Sequence, residues 1–167
     1  MNQVKVVLDT NCLLQILGAR SKYRFLFSKF IENNYCLCVS TEILFEYEEI
    51  LNQKASAKAA DLFLKVLARS RNVIRKDPYF HLGLVRQDKD DNKFVDCAFV
   101  SQADFIVTDD SHFEDVRKSP FPQFKVISLD EFSKMMLEDH GDGSAEHCLL
   151  VPPADCSATL RTFRSKK

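Results

Sequence analysis

Four acidic side chains stand where an open α/β sheet would bring them to one spot: Asp9, Glu46, Asp91 and Asp110. Asp9 follows the apolar run Val4-Lys5-Val6-Val7-Leu8, and Asp110 follows Phe105-Ile106-Val107-Thr108-Asp109. In a parallel sheet the carboxyl ends of the strands form the edge where ligands bind. Carboxylates gathered there repel one another. A hard divalent cation between them relieves the repulsion, and all-oxygen ligation suits Mg²⁺ or Mn²⁺. The chemistry such a group supports is metal-assisted attack on a phosphodiester.

Each acid also has a plainer reading. Asp9 must leave the core at once, yet Asp is equally a good helix N-cap. Thr10 and Asn11 are placed to hold its carboxylate, or a metal-bound water, by hydrogen bonds. In the segment Thr41–Leu51, Glu42, Glu46 and Glu49 share one helix face. The helix dipole accounts for Glu42 in the first turn, and solvent accounts for Glu48 and Glu49. Glu46, between Phe45 and Tyr47, is the one expected to turn inward. In Asp88-Lys89-Asp90-Asp91-Asn92, Asp90 or Asp91 can cap the helix that follows, and Asp91 in its frayed first turn is free to reach a metal. Asp96 lies five residues on, about 140° around a helix, and is expected as a further metal ligand or an outer partner. Of Asp109 and Asp110, one faces the sheet edge and one the solvent. Asp110 is the expected inward group, with the Thr108 hydroxyl beside it and Asp109 in reserve. His81 and His112 read as surface residues, since an isolated histidine makes no acid–base pair.

These positions follow from the elements around them. Residues 4–8 are nearly all apolar, as in a strand covered on both faces. Helical spacing runs over 11–17 and 22–32, a second strand over 35–39, and helices over about 41–53 and 55–70, the first with Ser40 as N-cap. Val73-Ile74 is a short strand or extended link, and 76–91, with Pro78 and Gly83, reads mostly as loop. A helix over about 91–102, strands near 105–107 and 124–128, and a helix to about 137 complete the pattern, the last with Ser128 and Glu131 at capping-box spacing. Strands alternating with helices predict a three-layer α/β/α fold with a central, mainly parallel sheet of four to five strands.

The bulk numbers set limits. With 167 residues, 46% hydrophobic and 28% charged, the chain fits one domain with a real core. Residues 1–138 read as that domain. Residues 139–167, with Gly141, Gly143, Pro152-Pro153 and a basic end, read as a flexible tail. His140, His147, Cys148 and Cys156 in the tail match no zinc spacing. Of the six cysteines, Cys12, Cys36, Cys38 and Cys97 lie in apolar segments and are expected as free thiols. No apolar run is long enough to span a membrane, and Met1–Val6 has no signal-peptide pattern, so a cytoplasmic location is expected. A net charge of −1 offers no global attraction to nucleic acid. Any polyanionic substrate must then be received by local cations. Arg20, Lys22 and Arg24 near the first strand–helix turn, and Lys89 and Lys93 beside Asp91, are candidates, with Tyr23 available to stack on a base. Solvated surface charge explains each of them equally well.

In order along the chain, Val6-Val7-Leu8-Asp9-Thr10-Asn11, Ser40 through Glu46 to Leu51, Asp91-Asn92-Lys93-Phe94-Val95-Asp96-Cys97-Ala98 and Ala103-Asp104-Phe105-Ile106-Val107-Thr108-Asp109-Asp110 resemble the four motifs of PIN-domain nucleases. The resemblance covers about residues 4–137 and is closest to the bacterial toxins of toxin–antitoxin pairs. It implies Mg²⁺- or Mn²⁺-dependent cleavage of single-stranded RNA, with Asp9, Glu46, Asp91 and Asp110 as metal ligands. It favours Asp110 over Asp109 and includes Asp96 in the branch's pattern. An antitoxin partner occupying the acidic groove, and self-association into a homodimer, are compatible with it. Two rivals stand beside it. A phosphotransferase of the HAD type also starts with an aspartate after a hydrophobic strand, but wants a second where Asn11 stands. A catalytically silent PIN-like binding module would dock a partner without cutting.

Overall fold

The computed structural model describes residues 3–138. Five strands, β1 (Val4–Leu8), β2 (Tyr35–Val39), β3 (Val73–Arg75), β4 (Phe105–Val107) and β5 (Val126–Ile127), form one sheet in the order β3-β2-β1-β4-β5. Every neighbouring pair is parallel. Val6, Val7 and Leu8 are all buried, so successive side chains of β1 meet cover on both faces.

Parallel strands need crossovers. Helices α1 (Thr10–Leu17) and α2 (Arg24–Ile31) link β1 to β2, and α3 (Thr41–Lys54) and α4 (Ala57–Arg69) link β2 to β3. The chain then returns past β1 through α5 (Asn92–Ser101) to β4. Right-handed crossovers place α1–α4 on one face and α5 on the other, because the direction of travel reverses. The reversal lies between β1 and β4, where a doubly wound sheet opens a crevice at its carboxyl edge. Asp9 and Asp110 follow the strands on either side of that opening.

The capping expectations at Ser40 and at Ser128 with Glu131 are met, and Ser56 caps α4, which begins at Ala57 rather than near residue 55. Ser40 and Ser56 accept hydrogen bonds from the N–H groups of Ile43 and Ala59. Ser128 and Glu131 exchange bonds at the start of α7 (Leu129–Glu138), closing the capping box. Phe132 of α7 stands edge-on to Tyr35 at 5.2 Å, so this helix joins the core. Cys12, Cys38 and Cys97 are buried free thiols, and Cys36 is free and half-buried. Several bounds differ from the pattern reading. Helix α2 begins at Arg24 rather than Lys22, because Ser21 Oγ accepts the Tyr23 N–H and turns the chain there. Strand β5 keeps only Val126-Ile127, the two residues that pair with Ile106 and Val107. A 3-10 turn (Ser111–Phe113) and the four-residue α6 (Glu114–Arg117) form the β4–β5 crossover, too short to show periodicity. The tail expected over 139–167, with its histidines and cysteines, lies outside the described residues. Among those described, no helix is long and apolar enough to cross a membrane.

One buried hydrogen bond ties the layers together at the carboxyl edge. The Tyr47 hydroxyl, fully buried on α3, donates to the Leu8 carbonyl at the end of β1. Tyr47→Phe leaves that carbonyl without its donor and is expected to cost about 1–3 kcal/mol. Urea unfolding measures this directly. A loss below a few tenths of a kcal/mol would mean that the bond contributes nothing.

Candidate active site

Register builds the first contact. Leu8 pairs with Val107, so the next residues, Asp9 and Thr108, stand side by side. Asp9 N–H donates to the Val107 carbonyl at 3.0 Å, and Thr108 Oγ1 donates to Asp9 Oδ2 at 2.9 Å. Asp9 Oδ1 accepts the Asn11 N–H at 3.3 Å, so the same carboxylate caps α1. Both readings of Asp9, N-cap and edge acid, are realised in one conformation. Thr108 Oγ1 also accepts the Asp110 N–H at 3.0 Å, which sets the backbone of Asp110.

Helix α3 supplies Glu46. Tyr47 fixes the rotation of the helix, and Glu46, about 100° around from it, turns toward the end of β1. There Thr10 Oγ1 donates to Glu46 Oε1, and Lys93 Nζ forms an ion pair with Oε2. Asp91 precedes α5 and makes no capping hydrogen bond, so its carboxylate stays free of the helix. Asp110 Oδ1 accepts the His112 N–H at 2.9 Å through the 3-10 turn. That turn swings the His112 ring back, and its Nδ1 lies 3.5 Å from Asp91 Oδ2 and 3.4 Å from Asp110 Oδ1. These separations are long for hydrogen bonds, and the buried nitrogen has no well-aligned partner.

The electrostatics fit a cluster of like charge. Burial raises the Asp9 carboxyl above its ordinary range, the Thr108 and Asn11 hydrogen bonds oppose this, and the charges of Glu46 and Asp110 add to the rise. Burial, with the charges of Asp88 and Asp9, pushes the Asp91 carboxyl up to about 6. Thr108 joins the Asp9 carboxylate to the Asp110 backbone, His112 lies beside both Asp110 and Asp91, and the charges of Glu46 and Asp110 act on Asp9. A cleft of about 720 Å³ lies between α3 and residues 88–93, walled by Glu46 and Asp91 together with Glu42, Glu49 and Asp88, while Asp9 and Asp110 are not part of its wall. The donors are oxygens at mutual electrostatic cost, and the orphaned His112 nitrogen stands among them. That set fits a hard divalent cation.

Other expected residues are placed differently. Asp96 does not join the cluster. It is fully buried on α5, where its oxygens meet the Leu82 N–H at 2.8 Å and His81 Nδ1 at 3.0 Å, so its carboxylate faces residues 81–82. The helical phase already separates it from Asp91. The Asn11 side chain is exposed, and only its backbone N–H reaches Asp9. Asp109 is turned away, accepting the Leu129 N–H at 3.0 Å. Of the expected RNA contacts, Lys22 pairs with Asp130 at 2.9 Å, Arg24 donates to the Leu17 carbonyl, and Lys93 is engaged by Glu46. Tyr23 donates to Asp130 at 2.8 Å, and Arg20 is exposed. The sequence reading missed His112 and Asp88. Ligand atoms of Asp88, Asp91 and His112 lie within 4.8 Å of one another. The spacing of Asp88 and Asp91, three residues apart, and of Asp110 and His112, two apart at a strand end, is the signal that could have found them.

Comparison with known proteins gives a family match and structural likenesses. A family model described as PIN domain matches residues 5–112. The crystal structure of VapBC2 from Rickettsia felis, bound to a DNA fragment from their promoter, is similar with a TM-score of 0.53 at 13% identity, covering 75% of this chain and 98% of that one. The PIN domain endonuclease Utp24 superposes with a TM-score of 0.47 at 16% identity, over 74% of this chain and 84% of its own. No curated protein matches the chain in sequence.

Proposed function

The chain belongs to the PIN-domain family, and from that premise we propose that it is a divalent-metal-dependent endoribonuclease acting on single-stranded RNA. What supports this reading is the placing of Asp9 and Asp110 at the switch point of the sheet, joined through Thr108, with His112 lying beside Asp110 and Asp91 and Thr10 tying Glu46 to the start of α1. These four acids would hold one or two Mg²⁺ or Mn²⁺ ions. A bound cation of this kind supplies a water nucleophile at neutral pH and neutralises charge on the phosphate.

The residues of the chain do the positioning. Thr108 and the Asn11 N–H hold the Asp9 carboxylate in one rotamer, so its oxygens need no reorganisation when a cation arrives. Thr10 and Lys93 do the same for Glu46. Asp91, uncommitted to the helix behind it, adjusts to the ligand. His112 stands between Asp91 and Asp110, its Nδ1 turned toward both carboxylates. We read the cellular role as that of a toxin held in check by an antitoxin. The motif resemblance supports this reading, and the structural likeness to VapBC2 is one of fold.

Purified protein is expected to cut an unstructured RNA only when Mg²⁺ or Mn²⁺ is present, and EDTA is expected to stop it. Asp110→Asn should lower the rate by about 10²–10³-fold, the usual cost of removing one charge-organising group. Cleavage that survives EDTA, or an Asp110→Asn variant as fast as the wild type, sinks the assignment.

A further inference from the structure

Residues 81–85 are pinned to α5 by two buried side chains one helical turn apart. Asn92 accepts the Val85 N–H at 2.9 Å and donates to the carbonyls of Val85 at 2.9 Å and Lys89 at 3.1 Å. Asp96 takes the Leu82 N–H and His81 Nδ1. Between these clasps Gly83 adopts a φ of +63°, a conformation side-chain-bearing residues rarely take. A neutral amide suffices to hold a backbone, as Asn92 shows. A fully buried carboxylate is costly unless it meets a strongly polarised or charged donor. The donor at Asp96 is His81, whose side chain is 76% exposed. The buried charge therefore orients a surface imidazole, with Nδ1 turned inward and Nε2 outward.

His81 stands between two clefts. One is the acidic cleft that contains Glu46 and Asp91. The other, about 430 Å³, is walled by His81, Gly83, Val85, Arg86, Lys89 and Asn92, and carries basic groups and no acid. His81, Lys89 and Asn92 line both, so the two adjoin. Neither Arg86 nor Lys89 has an ion-pair partner among the described residues. By contrast, Lys22, Arg24 and Lys93 are already engaged.

We propose that the second cleft is a phosphodiester-binding subsite for the RNA strand that enters the carboxylate cluster, formed by His81, Arg86 and Lys89, with Asp96 as the residue that positions His81. The inference rests on the nuclease reading. An acidic site repels a polyanion, and a rigid cationic cleft beside it supplies the attraction while leaving the acids free to hold metal. The loop is pinned before substrate arrives, so binding orders less of the protein.

Binding of a fluorescent single-stranded RNA about a dozen nucleotides long, within the span of a typical single-strand site, to protein carrying Asp9→Asn tests this without cleavage. Arg86→Gln with Lys89→Gln is expected to weaken binding about ten-fold. The slope of log affinity against log salt should fall by about 0.7 for each phosphate no longer neutralised. His81→Gln and Asp96→Asn should each weaken binding about three-fold, and the pair together no more than either alone, because they act as one unit. The Asn variant keeps an acceptor for Leu82, so thermal melting separates a folding defect from a binding one. A dinucleotide, which fills less of the basic cleft, should lose less affinity in each variant than the oligonucleotide does, and an equal loss for both would place these residues outside a strand-binding subsite. If the wild type cuts RNA while the basic-residue variants keep its affinity and salt slope, the subsite is wrong and the nuclease reading stands. If inorganic phosphate competes as well as the oligonucleotide, the cleft holds free phosphate and the strand path is wrong. A wild type that neither binds nor cuts RNA with Mg²⁺ or Mn²⁺ overturns the nuclease reading itself.

Discussion

Asp9→Asn is expected to lower RNA cleavage by about 10²–10³-fold or more while leaving the fold within about 1 kcal/mol of wild type. The two halves of this result have one cause. Asp9 is buried, and Glu46 and Asp110 act on its charge, so the ionised carboxylate is held at a cost in the folded state without a cation. An amide removes that cost. It retains an acceptor for Thr108 or for the Asn11 N–H, the two bonds that now fix the carboxylate. What it cannot supply is the negative oxygen pair that holds a divalent ion. Steady-state cleavage and urea unfolding of the same preparation test both halves. Full activity in the variant would remove Asp9 from the chemistry. Lost activity with a collapse of stability would make it a structural N-cap and nothing more.

Mg²⁺ is expected to raise the melting temperature at pH 7.5 and to lose that effect as the pH falls below about 6, where the Asp91 carboxyl takes up its proton. At one hundred times its dissociation constant a ligand stabilises by about 2.7 kcal/mol, roughly 5–15 °C for a domain of this size. The metal-free protein should show the opposite trend. The Asp91 pKa rises on folding from 3.8 to about 6, so between those values the folded state binds more protons than the unfolded one. Stability from this group is therefore present at the acid end of the window and fades as pH rises through about 6. Melting curves with EDTA and with saturating Mg²⁺, taken across that window, should diverge as pH increases. Parallel curves would mean that no cation binds at the acids. Both results follow from repulsion among carboxylates that the fold holds at one edge.

Much of that edge can be read without coordinates. Val4–Leu8 and Phe105–Val107 are apolar runs that must be inner strands, and a carboxylate straight after such a run has only the sheet edge to occupy. Parallel pairing then brings Asp9 and Thr108 alongside each other, since both strands end in register. The four-motif pattern placed Glu46 and Asp91 with them. Capping chemistry is equally local, and Ser40, Ser128 and Glu131 act as their spacing says. These features depend on neighbours within a few residues, or on the ends of strands whose pairing is uniform.

The partners of the long side chains depend on something else. Lys93 could have faced solvent or substrate. The packing of α5 against α3 aims it at Glu46. Asp96 meets His81 and Leu82 rather than the other acids, because residues 81–85 dock on α5. His112 reads as an isolated surface histidine in the sequence, and a 3-10 turn, set by the Asp110 cap, folds its ring between two acids. Sequence periodicity determined which residues reach the edge of the sheet. The rotation of each helix about its own axis and the seating of one loop, both decided by how distant side chains fill the core, selected which of those residues meet.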